Sequence, residues 1–197
     1  MQLHLVELVL AVLESDTKTL DRLAREQRPC RAWREALLMT ALFAGFPRVV
    51  SAAAQLHKLD ALGDPSPDEL AEPADHQAAG HDTFQSVYGS QSFTVGESLG
   101  SFHPLLATWI REFAYGRVLS RAGLSLADRE CLAVTCLAHQ GLPHQLKSHL
   151  RGARRAAADP TTLRFALEAG LQARPAAERI ELRKLAEPFL QQGDSPT

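Results

Sequence analysis

The chain has little from which to build a disulfide, metal or redox framework. It holds three cysteines, at 30, 131 and 136, and none forms a Cys-x-x-Cys pair. An odd, unpaired set argues against a stapled fold or a zinc ribbon. Cys131 and Cys136 lie about 140° apart around a helix axis, so they point in different directions and read as small buried apolar residues. Charge of one sign is also lacking: the net value is −2, with no overall basic footprint, and nucleic acid is not an expected partner. The local cluster Arg151, Arg154 and Arg155 reads as a solvated helix face. Alternating apolar and polar residues never run far enough for a strand, and no βαβ rhythm appears. No apolar run is long enough to span a bilayer. The opening stretch MQLHLVELVLAVLESD carries His4 and Glu7 inside its apolar pattern, without a basic n-region or a cleavage site. It reads as the first core helix of a soluble, cytoplasmic protein with no membrane partner.

What is present is helical periodicity over a chain that is 45% apolar, enough for one domain or two small ones sharing a core. Leu3, Val6, Leu10 and Leu13 make one face of a helix over 2–14. Ser15 and Asp16 are candidate caps for a helix over 17–27. Pro29 suits the start of a third over 30–43, and Gly45 and Pro47 punctuate before a fourth over 47–61. The stretch 63–80 differs in kind, with three prolines, five acids and no Lys or Arg. It reads as an acidic connector with one helical turn at 67–72. Helices resume at His81, again after Gly89, and at Pro104, where Leu105, Trp109 and Phe113 share a face. Two more follow Asp159 and Arg174, and the tail QGDSPT is expected to fray.

The most informative stretch is 124–153, LSLADRECLAVTCLAHQGLPHQLKSHLRGA. Ser125 is a candidate N-cap with Asp128 three residues on. The run Cys131–Ala138 is apolar around most of a helix, which marks a buried element. Gly141 ends this helix and Pro143 opens the next. Antiparallel packing of the two brings Glu130 near His149. Two readings stand side by side. Glu130 can simply face the first-turn amides of its helix, with His149 a satisfied core histidine. Alternatively, the two form an acid/base pair in a dry seam. His139, His144 and His149 recur at five-residue steps across a turn, which does not make a metal face.

A weak repeat links the two ends of the chain. A shift of 126 residues sets Leu20 on Leu146, Leu37 on Leu163, and Leu23 on His149. The expected organisation is a degenerate helical half at 1–61, an acidic Pro-rich linker at 62–80, and a second half at 81–197 that carries the Glu130/His149 hairpin.

The run RAGLSLADRE followed by HQLKSHLRGA resembles the carboxymuconolactone decarboxylase superfamily, which includes the alkylhydroperoxidase D (AhpD-like) proteins. Residues 34–54 are similar to the helix that follows the active hairpin in that superfamily, through Glu35, Ala36, Phe43, Ala44, Gly45, Phe46 and Pro47. The two ends thus resemble complementary partial copies, and a complete site needs both halves or two subunits.

The resemblance implies an all-α, AhpD-like array of two related helical-hairpin halves, the first degenerate, assembled into a trimer or hexamer. Laid on this chain, the AhpD-like cysteine positions fall on Leu142 and Gln145. His144 lies between them, Glu130 matches the glutamate and His149 the downstream histidine. Without thiolates at those positions, disulfide-based peroxide reduction is not expected. The decarboxylase branch implies cofactor-free acid/base chemistry on a small organic acid or lactone. His149 would be the proton donor, Glu130 its orienting partner and His144 a further catalytic candidate. For an anionic substrate the candidate binding residues are Arg121 and Arg129, with Arg151 a third, while Tyr115 and His103 would line the pocket. No metal or cofactor is expected. The alternatives are a redox protein using Cys30, Cys131 or Cys136, and a non-catalytic scaffold or small-molecule binder.

Overall fold

The structure, a computed structural model, describes residues 3–26 and 30–191. Pro29 and the stretch 192–197, to which a helix start and a frayed tail were assigned, lie outside the described residues. Among the described residues there is no strand. The chain is all-α, as the periodicity and the resemblance both imply.

The first four helices are α1 (Leu3–Glu14), α2 (Thr17–Glu26), α3 (Arg31–Ala44) and α4 (Phe46–Lys58). Asp16, not Ser15, caps α2, by accepting the Lys18 and Thr19 amides. A short turn of helix, α5 (Pro67–Leu70), interrupts the acidic connector. Then come α6 (His76–Tyr88), α7 (Ser92–Phe102), and α8 (Pro104–Trp109), which runs on into a π-helical segment, Ile110–Leu119. The chain closes with α9 (Leu126–Gln140), α10 (Pro143–Arg155), α11 (Pro160–Leu171) and α12 (Ala176–Leu190). Helix α6 begins five residues before the expected start at His81, because Asp75 accepts the Gln77 and Ala78 amides and supplies the cap.

Helix α9 is the axis of the molecule. Every residue from Arg129 to Ala138 is buried, as its apolar circumference demands. Leu132, Ala133 and Cys136 join one apolar cluster with α1–α4, α6 and the π segment. Cys131, Val134, Leu137 and Ala138 join a second with α10, α11 and α12. Ser125 caps α9 by accepting the Asp128 amide at 3.1 Å, and Gly141 closes it in the left-handed region, at φ 67° and ψ 42°. Helix α11 sits close because Gly170 carries no side chain: a methyl there would run into the Thr135 carbonyl. Thr135 Oγ1 also donates to the Ala166 carbonyl at 3.0 Å.

The helix boundaries recur at the offset found in the sequence. Helix α9 ends 126 residues after α1, and α10 starts 126 residues after α2. The packing recurs too: α1 contacts α2 and α3 as α9 contacts α10 and α11, and α2 lies on α4 as α10 lies on α12.

Two sequence expectations are altered by charge and by the π segment. The acidic connector is held down: Glu69 pairs with Arg34, Asp68 with Arg31, and Glu72 with Arg117 and His76. The face carrying Leu105, Trp109 and Phe113 points to solvent, with Trp109 62% exposed. The side turned inward is Tyr115, Gly116, Val118 and Leu119. The π segment and α6 approach almost backbone to backbone, since methyls at Gly80 and Gly116 would collide with the Arg111 and His76 carbonyls. This contact positions Tyr115 beside α6.

Candidate functional site

Glu130 lies on the second turn of α9 and is fully buried. Helix α10 returns antiparallel across it and places His149 opposite. Its ring Nδ1 donates to Glu130 Oε2 at 3.0 Å, because a carboxylate can only accept. Gly152, one turn further along α10, makes room for this carboxylate, since any side chain there would overlap Glu130 Oε2. The second oxygen, Oε1, is buried and has no hydrogen-bond partner. Phe43 of α3 sets its ring edge-on to His149, with centroids 6.4 Å apart.

His149 is 9% exposed. Burial alone disfavours the imidazolium, but the charge and hydrogen bond of Glu130 outweigh it and raise the histidine above its ordinary value. With Nδ1 committed to Glu130, Nε2 is left for a ligand.

His149 lines a cavity of about 460 Å³, a size typical of small-molecule sites. The wall is mostly apolar, with Leu42 and Phe43 from α3, Val95 and Leu99 from α7, and Ile110 and Ala114 from the π segment. Polar groups come from α10, as His144, Gln145, Ser148 and His149, and from Gln140, Tyr88 and Tyr115. The positions matching the AhpD-like cysteines, Leu142 and Gln145, both line this cavity. Because α3 and α10 both contribute, the site draws on both ends of the chain.

Tyr115 Oη donates to Tyr88 Oη at 2.9 Å. Burial, reinforced by the Glu130 charge, raises both phenols and keeps them protonated. Tyr88 is absent from the candidates derived above. One signal pointed to it: the chain has two tyrosines, and both meet here.

The structure thus gathers Glu130, His149, His144 and Tyr115. It does not bring the expected arginines to them. Arg121 and Arg129 both pair with Glu35, which is 1% exposed. Arg129 also donates to the Arg121 and Ala122 carbonyls. Arg151 stands over the Phe189 ring. His103 is an exposed cap of α8, where its Nδ1 accepts the Leu105 amide. Among the described residues, no Lys or Arg lines the cavity.

Two of the three thiols, Cys131 and Cys136, are buried and poorly suited to redox work. Burial pushes Cys131 up to about 12 and Cys136 higher still. Among the described residues no group of His, Cys, Asp and Glu could hold a metal ion, and no helix is long and apolar enough to cross a membrane.

Residues 104–183 match the model of the carboxymuconolactone decarboxylase family. This region, from α8 into α12, contains the whole Glu130/His149 hairpin, so it is through that hairpin that the chain is similar to the family. Peroxisomal protein 2 of Schizosaccharomyces pombe (strain 972 / ATCC 24843) is 31% identical over 125 residues, covering 61% of this chain and 58% of that protein. The chain therefore spans little more than half the length of this curated relative.

Proposed function

We propose that the protein performs cofactor-free acid/base chemistry on a small organic acid or lactone, in the manner of a decarboxylase-like lyase. His149 exchanges a proton with the ligand through Nε2, and Glu130 fixes the ring tautomer and holds up its basicity. His144, which lines the same cavity, is a second proton-handling group. One observation carries the reading: a buried Glu130–His149 hydrogen bond of 3.0 Å lies in the wall of a ligand-sized cavity. A core ion pair with no other task needs no such cavity. In a decarboxylation, the carbanion left when CO2 departs takes its proton from the imidazolium, whose population the carboxylate raises.

The test is the His149 titration, followed by NMR in wild type and in Glu130→Gln, with a panel of small keto acids and lactones. The proposal requires a coupled titration that one of these compounds perturbs. A histidine that does not titrate, in a protein that binds none of them, sinks it.

Assembly into a homo-trimer or hexamer belongs to the same reading. Exposed Phe46, Phe93, Phe102, Trp109 and Phe113 support it, and light scattering on the purified chain tests it. The cytoplasm is the compartment we infer. The name of the Schizosaccharomyces pombe relative offers the peroxisome instead, and the location of a fluorescent fusion decides between them.

A further inference from the structure

The tyrosine pair adds a group that the Glu130–His149 reading does not use. Two hydroxyls that share one hydrogen bond have two hydrogens between them, and the bond consumes only one. Tyr115 spends its hydrogen on Tyr88, which leaves the Tyr88 hydrogen to be donated. Tyr88 and Tyr115 both line the cavity with His149, and Tyr115 is the more deeply buried of the two. The free donor therefore sits on the residue nearer the ligand. A neutral phenol that already accepts a hydrogen bond is a better donor in turn. Such a donor, fixed beside a histidine, suits a carbonyl oxygen that gains negative charge as a proton leaves the neighbouring carbon.

The charge of the wall narrows the ligand class. A carboxylate entering this cavity leaves water and meets no Lys or Arg among the described residues, and Arg121 and Arg129 are engaged by Glu35. Of the described lining residues, His144 and His149 can carry positive charge, and that of His149 is already offset by Glu130. A buried anion without its own counter-charge is strongly disfavoured. A neutral carbonyl incurs no such cost, and the apolar wall suits a hydrocarbon chain or ring attached to it.

We propose that the cavity takes a neutral, apolar, enolisable carbonyl compound, with Tyr88 binding its oxygen, Tyr115 positioning Tyr88, and His149 exchanging the proton on the adjacent carbon. Neutral Nε2 takes that proton. The C–H electron pair becomes the second bond of an enolate C=C, and the carbonyl π pair moves onto the oxygen held by Tyr88. Returning the proton reverses each movement, so no oxidant, reductant or co-reactant is consumed. The proposal rests on the acid/base reading of His149 for the proton transfer but not for the binding, and of the ligands named in that reading it keeps the neutral lactone and sets aside the free acid and its decarboxylation.

The probes are 2-decanone labelled with 13C at the carbonyl, and decanoate as its anionic counterpart of equal length. In D2O, three quantities are read: binding of each probe, the 13C carbonyl shift of bound ketone, and deuterium entry next to the carbonyl. Wild-type protein is expected to bind the ketone more tightly than decanoate, move its carbonyl resonance downfield and speed exchange. Tyr88→Phe should abolish the downfield shift and slow exchange on the order of a hundredfold, the scale for loss of one donor to a developing oxyanion. Tyr115→Phe leaves Tyr88 in place and should shrink the shift without abolishing it. This second variant keeps the test alive if Tyr88→Phe folds poorly. Tighter binding of decanoate, or a carbonyl shift unchanged in both tyrosine variants, overturns the proposal even if exchange still requires His149. A Tyr88-dependent shift with no exchange in wild type, or with exchange that survives unchanged in His149→Gln, upholds the binding assignment and sinks the acid/base reading instead.

Discussion

Two adjacent residues of α9 serve two buried carboxylates in opposite ways. Arg129 reaches Glu35, and Glu130 reaches His149. At Glu35 both oxygens are engaged: Arg121 donates through Nε and Nη2, and Arg129 through Nη2, all between 2.9 and 3.1 Å. The carboxylate has more donors than it has oxygens. Glu130 has one histidine on one oxygen and nothing on the other, and its neighbour lines a cavity. Burial is the same, but the satisfaction is not. A carboxylate closed on every side by permanent cations can only hold elements together. One that faces a single titratable partner, next to open volume, retains a charge state that a ligand can alter.

The largest effect expected from this contrast is on stability. Glu35→Gln leaves Arg129 buried without its counter-charge and should cost about 3–5 kcal/mol. At alkaline pH, where His149 is neutral, Glu130→Gln should cost less than about 1.5 kcal/mol. Urea unfolding of both variants measures the gap, and equal losses would erase the distinction. Next is Gly152→Ala, whose methyl must displace the Glu130 carboxylate or Val87. Overpacking of that kind should cost about 1–3 kcal/mol, and the His149 titration should move with it.

The third effect is in pH. Glu130→Gln removes the group that raises His149 while burial, which lowers it, remains. The pKa of His149 should therefore fall, as read by NMR. Since the folded value lies above the unfolded 6.5, the stability from this pair is fully present below 6.5 and fades as pH rises through the folded value. The difference in urea midpoint between wild type and variant should therefore be greatest in mild acid. His4 and His139 are lowered chiefly by burial and run the other way, and taking the difference removes their share. The effect most confined in pH belongs to Glu69, which Arg34 holds down from 4.5 to about 2. Its contribution is present above 4.5 and is lost as pH falls toward 2, so Glu69→Gln should flatten only that acid limb of an unfolding titration.

The contrast was half legible in the sequence. Glu130 and His149 could be paired because one turn joins their helices, and the cap at Ser125, the break at Gly141 and the start at Pro143 fixed how those helices meet. The roles of Arg121 and Arg129 were not legible. Their partner Glu35 lies 86 and 94 residues away in the chain, and local spacing carries no information about such a contact. Tyr88 was missed for a similar reason. It meets Tyr115 only because Gly80 and Gly116 allow α6 and the π segment to touch, and the π geometry turns Tyr115 inward while Trp109 and Phe113 face out. A 3.6-residue pattern assumes an α-helix and cannot show that turn.

The burial of α9 also has a consequence during synthesis. Helices α1 to α4 are complete by Lys58, yet the helix that fills their shared cluster ends at Gln140. Roughly eighty further residues must be translated in between, which takes about 4–16 s at ordinary elongation rates. For that interval the nascent front half presents an apolar face with nothing to cover it. The cell must shield that face before the protein has any site at all.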